Sequence, residues 1–414
     1  MQITQLKVEN FKSLVKVDAT GFATVNFIHG YNNSGKSNFL KFLELLFSRK
    51  TFAAPENYID ENNISKIRNK IVAITPFWNG YIYDIPFIFT KNYREKNIAF
   101  EVQLELDNSE YPHSAELNAA GYLYTNRATT PIKISGEIAS LNQNDSQMIL
   151  KEVKLKGIII YSVNAGAPKF FETLEKSPFA NNEDIFTEVM DIFNNCVMLI
   201  ESERYFSKEK LSQESPQIFS TTNFKNWLYG LSLDADRFEK FSDLIKFLDG
   251  FDLTSKVAKV LDTNLKSYPF KDTKMNFSKF KEEIEIMLEN PIGRFPLKNF
   301  GTGVQQLLFI LSKIFDTTSR IILIEELELN LSPEYQELII NNLQNFLQEK
   351  RISQVFFTSH SDYLHRNDFK VYEVRIDENG KSDIKASNYT ALKAMRRNFL
   401  TFAETGEIEN PTKK

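Results

Sequence analysis

Gly30, Tyr31, Asn32, Asn33, Ser34, Gly35, Lys36 and Ser37 read G-Y-N-N-S-G-K-S and meet the pattern G-x-x-x-x-G-K-[S/T] at every fixed position. That spacing suits a chain of phosphates. Gly30 and Gly35 let the backbone bend and approach an anion closely. The N–H groups of Asn32, Asn33, Ser34 and Gly35 can then face inward, backed by the N-terminus of a helix entered at Asn38. The Lys36 ammonium would reach the β- and γ-phosphates, and the Ser37 hydroxyl would ligate Mg²⁺. A turn rich in small polar residues with a chance lysine is the plainer alternative. The flanks oppose it: residues 25–28 (V-N-F-I) read as a short buried strand, and residues 38–46 (N-F-L-K-F-L-E-L-L) as an amphipathic helix.

A second group of candidates lies about 290 residues downstream. Residues 320–326 (R-I-I-L-I-E-E) form an apolar run that ends in two acids, as a buried parallel strand does when it delivers carboxylates at its C-terminal end. Glu325 would hold the Mg²⁺ shell, and Glu326 would orient or activate an attacking water. Taken alone, the run is equally a strand that ends in solvated acids. Just before it, residues 300–306 (F-G-T-G-V-Q-Q) place a glycine turn against the helix-like segment 307–315. Thr302, Gly303 and Gln305 thereby sit at a second helix start that favours anions, although such turns are common. Residues 354–361 (Q-V-F-F-T-S-H-S) read as another buried strand, and His360 at its end can sense a γ-phosphate by hydrogen bonding. A strand-end histidine is more often structural, and only its place in this series raises it.

The elements between these motifs divide by period. Residues 100–106, 132–138 and 149–156 alternate apolar and polar as strands do, with a turn at 142–146. Residues 186–193, 224–251 and 277–288 are expected to be helical, interrupted by Pro178, Pro216, Pro269 and Pro291. No heptad pattern persists, which opposes a long coiled-coil arm. Near the end, residues 371–376 and 382–385 flank D-E-N-G, a hairpin signal, and a short helix is expected over 391–402. The expected organisation is a first part, 1–165, with the phosphate loop and a β lobe, then a helical insertion, 166–292. The last part, 293–414, carries the glycine turn, the acids, His360 and the terminal hairpin and helix.

Composition narrows the function classes. Of 414 residues, 42% are hydrophobic and 25% charged, enough to bury a large core. The net charge of −4 sets up no overall field for nucleic acid, so any DNA contact would use local basic groups. Three such groups exist: Lys66, Arg68 and Lys70; Lys91, Arg94 and Lys96; and Lys393, Arg396 and Arg397. Each is first a solvated face. A single cysteine excludes a disulfide framework and a cysteine zinc site, and the four histidines have no metal-ligand spacing. No signal peptide or membrane-length apolar stretch is recognised, so a cytoplasmic protein is expected. The 36 phenylalanines are read as compositional bias.

Together the motifs resemble an ABC-class ATPase head of the SMC/RecF/OLD group, in particular the OLD-like AAA family ATPases of antiphage systems such as Septu or PARIS. Residues 6–14 (L-K-V-E-N-F-K-S-L) resemble the group's first strand and its N-F-[K/R] turn. The phosphate loop resembles its G-x-N-x-[S/A]-G-K-S form, and residues 301–306 its signature sequence. Residues 325–333 (E-E-L-E-L-N-L-S-P) resemble E-E-P-E-x-H-L-H-P, with Leu327, Asn330 and Ser332 in place of the proline and the two histidines. His360 falls in the switch sequence, and Glu203-Arg204 resembles an arginine-ended strand of this branch. The resemblance implies an α/β fold: an ABC-type P-loop head with an antiparallel β lobe and a helical insertion. It implies ATP and Mg²⁺ as ligands, and a homodimer or higher oligomer with ATP sandwiched between heads, so that Thr302 and Gly303 of one head meet ATP held by Lys36 of the other. A Toprim nuclease domain would have no room here, so a separate nuclease or toxin subunit is expected as partner. Two alternatives stay open: a RecF-like DNA-binding repair ATPase and, from another class, the nucleotide-binding subunit of a transporter.

Overall fold

In the computed structural model, helix α1 (Lys36–Phe47) is packed between two sheets. The structure describes residues 1–47, 50–59, 65–74, 81–82, 88–89, 96–141, 146–164, 167–171, 182–204, 206–212, 220–233, 238–249, 274–280, 283–290, 293–360 and 368–387, with Leu364 and Arg366. The architecture is mixed α/β. Strands β3 (Val25–Gly30), β12 (Val197–Ile200), β16 (Ile321–Ile324), β17 (Gln354–Thr358), β18 (Lys370–Ile376) and β19 (Ser382–Ser387) form one sheet in the order β12-β16-β17-β3-β18-β19. The first five run parallel and β19 closes the edge antiparallel to β18. A parallel sheet needs both faces covered, which is why the central strands β16 and β17 are buried at every position. Successive side chains alternate between two cores. Ile28, Ile321, Leu323, Phe356 and Tyr372 enter one, while Phe27, Ile322, Ile324, Val355 and Phe357 enter the other.

The first core is shared with an antiparallel sheet. Its strands are β1 (Gln2–Phe11), β2 (Leu14–Thr20), β6 (Tyr81–Ile82), β7 (Ile98–Asp107), β8 (Thr129–Ser140), β9 (Ser146–Leu155), β10 (Ile158–Asn164) and β11 (Ala167–Phe170). They pair in the order β11-β10-β9-β8-β7-β1-β2, with β6 on β9. On β7, Ile98, Phe100, Val102, Leu104 and Leu106 are all buried at a period of two, the signature of a sheet with one covered face. The phenylalanines carry the join. Phe42 of α1 stands 4.9 Å from Phe11 of β1, and Phe39 of the same helix stands 6.3 Å from Phe356 of β17. Strands β4 (Lys50–Ile59) and β5 (Ser65–Ile74) form a separate hairpin, and β5 carries Lys66, Arg68 and Lys70. Helices α2 (Ser114–Ala119) and α3 (Asn182–Asp191) add Leu117, Ile185, Phe186 and Val189 to this core.

Helices α4 (Phe224–Leu233), α5 (Phe238–Asp249), α6 (Thr302–Asp316) and α7 (Pro333–Gln348) cover the other face of the parallel sheet. One expectation is corrected here. Residues 277–288 are not helical: they belong to β13 (Lys274–Phe280) and β14 (Glu283–Asn290), which pair as a hairpin and continue to β15 (Gly293–Pro296). In E-I-E-I-M-L, Ile284, Ile286 and Leu288 are buried while Glu283 is exposed, so the apolar positions recur at two rather than at three and four. The stretch 166–292 therefore combines helices with strands, one of which, β12, belongs to the parallel sheet. The terminal hairpin is present, with Gly380 at φ +75° in its turn. The expected helix 391–402 lies outside the described residues, as do Lys91, Arg94, Lys393, Arg396 and Arg397. Among the described residues no helix is long and apolar enough to cross a membrane.

Candidate nucleotide site

The phosphate loop follows from sheet order. Strand β3 is central, between β17 and β18, so the chain must leave its C-terminal end over the edge of the sheet before α1 can turn back. The turn is made with Asn33 at φ +61° and Gly35 at φ +103°. Asparagine tolerates the left-handed region, and glycine enters it freely. Gly35 is also sterically required. A Cβ there would overlap Ser382 Oγ and lie 2.7 Å from Ser13 Oγ. At Gly30 a Cβ would overlap the Val374 carbonyl and lie 2.7 Å from Ser34 Oγ. The loop is thus a cradle made by two missing side chains.

A cavity of about 610 Å³ opens over it, lined by Ser13, residues 32–38 and Glu326. Asn32, Asn33, Ser34, Gly35, Lys36, Ser37 and Asn38 are therefore brought together with the second acid, although about 290 residues separate them. Ser34 Oγ is buried and has no hydrogen-bond partner among the described residues, a donor and acceptor left for a ligand. Lys36 is buried, and its Nζ donates to the Gly30 and Tyr31 carbonyls at 2.8 Å each. Burial lowers its pKa below the ordinary lysine value, while the carboxylates of Glu326, Glu328 and Glu325 oppose the shift. A glycine cradle, an unpaired buried hydroxyl and a desolvated ammonium fit a phosphate chain.

The acids are held from both neighbouring strands. From the β12 side, the Glu325 N–H donates to the Ile200 carbonyl at 2.9 Å, and the Glu325 carboxylate accepts from the Ser202 N–H at 3.3 Å. From the β17 side, the Glu326 N–H donates to Thr358 Oγ1 at 2.8 Å, and the Leu327 N–H to the Thr358 carbonyl at 3.0 Å. Between these holds Glu326 sits at φ +46°, strained for a residue with a Cβ. Arg204 braces it. This wholly buried side chain donates from Nη2 to the Glu325 carbonyl and, at 2.9 Å, to the Glu326 carbonyl, and from Nε to the Glu201 carbonyl at 2.6 Å. Burial lowers its pKa to about 10 against the pull of Glu328, Glu325 and Glu326, so it stays charged at neutral pH. The strand expected to end at Arg204 ends at Ile200 instead, and Arg204, four residues further on, grips the backbone beneath both acids.

The remaining candidates lie around this centre. His360 is exposed at the end of β17; its N–H donates to Glu328 Oε1 at 2.6 Å, and its ring lies 6.5 Å from that of His29. Thr302 and Gly303 begin α6, whose N-cap, Gly301, makes no side-chain capping bond. Thr302 is exposed, and neither Thr302, Gly303 nor Gln305 lines the cavity around Lys36. Gln305 Nε2 bonds the Phe300 carbonyl at 3.0 Å, and a Cβ on Gly303 would lie 2.6 Å from the Asn330 carbonyl, so the start of α6 packs on the acidic loop. Among the described residues no cluster of three or more His, Cys, Asp or Glu could hold a metal by itself. Ser37 lines the cavity, whereas Glu325 is buried and is not among its lining residues. Sequence reasoning missed Ser13 as a lining residue and Ser382 as the atom that forbids a side chain at Gly35. Ser13 lies just after the N-F-K turn at 10–12 but at no fixed position of that motif, and Ser382 carries no local motif; each reaches the loop from another segment.

Comparison with known proteins finds a family match and several relatives. Residues 1–364 match the family model described as AAA ATPase domain. An "ATP/GTP phosphatase" of Helicobacter pylori is 22% identical over 366 residues, covering 87% of this chain and 85% of its own. The "DNA replication and repair protein RecF" of Acinetobacter baylyi is 36% identical over 64 residues, 15% of this chain and 18% of RecF. Among solved structures, an SMC head bound to the C-terminal winged-helix domain of ScpA aligns over 95% of this chain and all of its own, at TM-score 0.45 and 12% identity.

Proposed function

We propose that this chain, which belongs to the AAA ATPase domain family, binds ATP in the cavity around Lys36 and hydrolyses it to ADP and phosphate. The observation that carries this is the meeting of residues 32–38 with Glu326 around one cavity. In this reading the inward N–H groups of the loop and the Lys36 ammonium hold the β- and γ-phosphates. Ser37 and Glu325 hold Mg²⁺, which when bound offsets charge on the phosphate oxygens. Glu326 orients a water on the γ-phosphorus and takes its proton as the bond to the β-phosphate oxygen breaks. Arg204 and Thr358 hold the Glu326 backbone from below, and in this reading His360, which does not line the cavity, hydrogen-bonds the γ-phosphate. The test is equilibrium binding of MgATP: Lys36→Ala should abolish it, and retention of wild-type affinity by that variant would refute the site.

The reading extends to a pair of heads. In this reading a second copy supplies Thr302 and Gly303, a view supported by their lying outside the cavity of their own chain and by the exposure of Thr302. We further read the ATP-joined pair as a regulator or scaffold for a separate nuclease or toxin in prokaryotic antiphage defence, on the strength of the OLD-like motifs. Purification from the native host with identification of stoichiometric chains tests this. The short likeness to RecF favours a second reading, a DNA-binding repair ATPase. That reading requires ATP-dependent DNA binding by the isolated chain, weakening steeply with salt.

A further inference from the structure

We infer that Ser382, in the C-terminal hairpin, is a positioning residue for the phosphate loop, and that the hairpin is thereby part of the nucleotide site. The inference rests on the nucleotide reading above. Its basis is a short hydrogen-bonded path that leaves the loop and returns to it. Asn38 Nδ2, in the first turn of α1, donates to Ser13 Oγ at 2.9 Å. Ser13 Oγ and Ser382 Oγ stand 2.7 Å apart. Ser382 Oγ reaches the Ser34 carbonyl at 2.6 Å, a contact only its own proton can make, since a carbonyl has none to give. A hydroxyl has one proton, so the contact between the two serines is then filled by the proton of Ser13.

The path closes around the residues that would grip phosphate, because Ser34 and Asn38 flank Gly35, Lys36 and Ser37. Two backbone contacts fix its outer side. The Ser382 N–H donates to the Ser13 carbonyl at 2.8 Å, and Val374 of β18 pairs in register with Gly30. Ser382 is 3% exposed, so solvent cannot substitute for its hydroxyl. With the hydroxyl removed, the Ser34 carbonyl loses this donor, and the pitch of the loop, which aims its N–H groups, is no longer set before ligand arrives. Loss of such preorganisation falls on affinity.

The experiment is calorimetric titration of MgATP into wild type, Ser382→Ala, Ser13→Ala and the double variant, with steady-state hydrolysis beside it. Each single variant should bind about two- to tenfold more weakly, the worth of one net hydrogen bond. The double variant should be little worse than either single, because both cut one path. KM should rise with kcat nearly unchanged. Wild-type affinity in Ser382→Ala, or losses that multiply in the double variant, would overturn the inference. Failure of wild type to bind MgATP would refute the nucleotide reading beneath it. Should Ser382→Ala not fold, hydrogen exchange on wild type decides. MgATP should slow exchange at the Ser382 amide, and unchanged exchange there would overturn the coupling.

Discussion

Gly35 shows how little freedom a single position in this site has. It combines φ +103° with a side-chain direction already occupied by Ser382 and Ser13. Gly35→Ala should cost about 1–3 kcal/mol from backbone strain alone, with overlap added, and a denaturant midpoint shows it. Lys36 gives a prediction in pH. Its pKa is lowered by burial, so for stability the cost of burying the charged form is present below that pKa and relieved above it. Phosphate binding has the opposite sense, because it favours the ammonium. Affinity for MgATP should therefore fall as pH rises through the lowered Lys36 pKa, at a lower pH than an ordinary lysine would give. A calorimetric pH series checks this, and flat affinity across that range would contradict the role of Lys36. At this scale the sequence was legible where the chemistry is contiguous, as in residues 30–38. It was opaque where an atom arrives from far away: Ser13 and Ser382 meet the loop through strand pairing that no local pattern announces.

Helix α1 and the acidic turn carry the site at the scale of elements. Eight residues of α1 are buried, since a sheet lies on each side of it. Leu43→Ala should accordingly cost about 2–5 kcal/mol and weaken nucleotide binding with stability, a pairing that thermal and binding measurements together detect. The turn after β16 depends on Arg204, which bonds two successive carbonyls with one nitrogen. A lysine keeps the charge but not the planar fork. Arg204→Lys should leave MgATP affinity near wild type and lower kcat by about 10²-fold, the cost of misplacing a reacting group by an ångström. An unchanged kcat would mean the brace is dispensable. The misread segment 277–288 belongs to this scale too. Its phenylalanine and leucine spacing suits a helix, yet the alternation in E-I-E-I-M-L satisfies a sheet, and tertiary pairing with β15 decides between them.

Across the whole molecule, the order β12-β16-β17-β3 puts the phosphate loop, the acids and His360 at the C-terminal edge of one parallel sheet, where α/β proteins bind ligands. The motif series was readable because each motif sits at such a strand end or a helix start. The path of the chain between motifs was not, because β12 enters the sheet from a stretch whose composition reads as helical. The proposed pairing of heads also belongs to this scale. Glu326→Gln with MgATP should double in mass by light scattering, and adding Thr302→Arg should return it to the mass of one chain. Thr302 is the cleaner choice, since any side chain at Gly303 would press on Asn330 within the same head. The most direct test of the central claim is MgATP binding and phosphate release measured side by side for wild type and Glu326→Gln. The site described here predicts near-equal binding, with release slowed about 10²- to 10⁴-fold in the variant, the usual contribution of a positioned base. Release at the wild-type rate, or no binding by wild type, would contradict it.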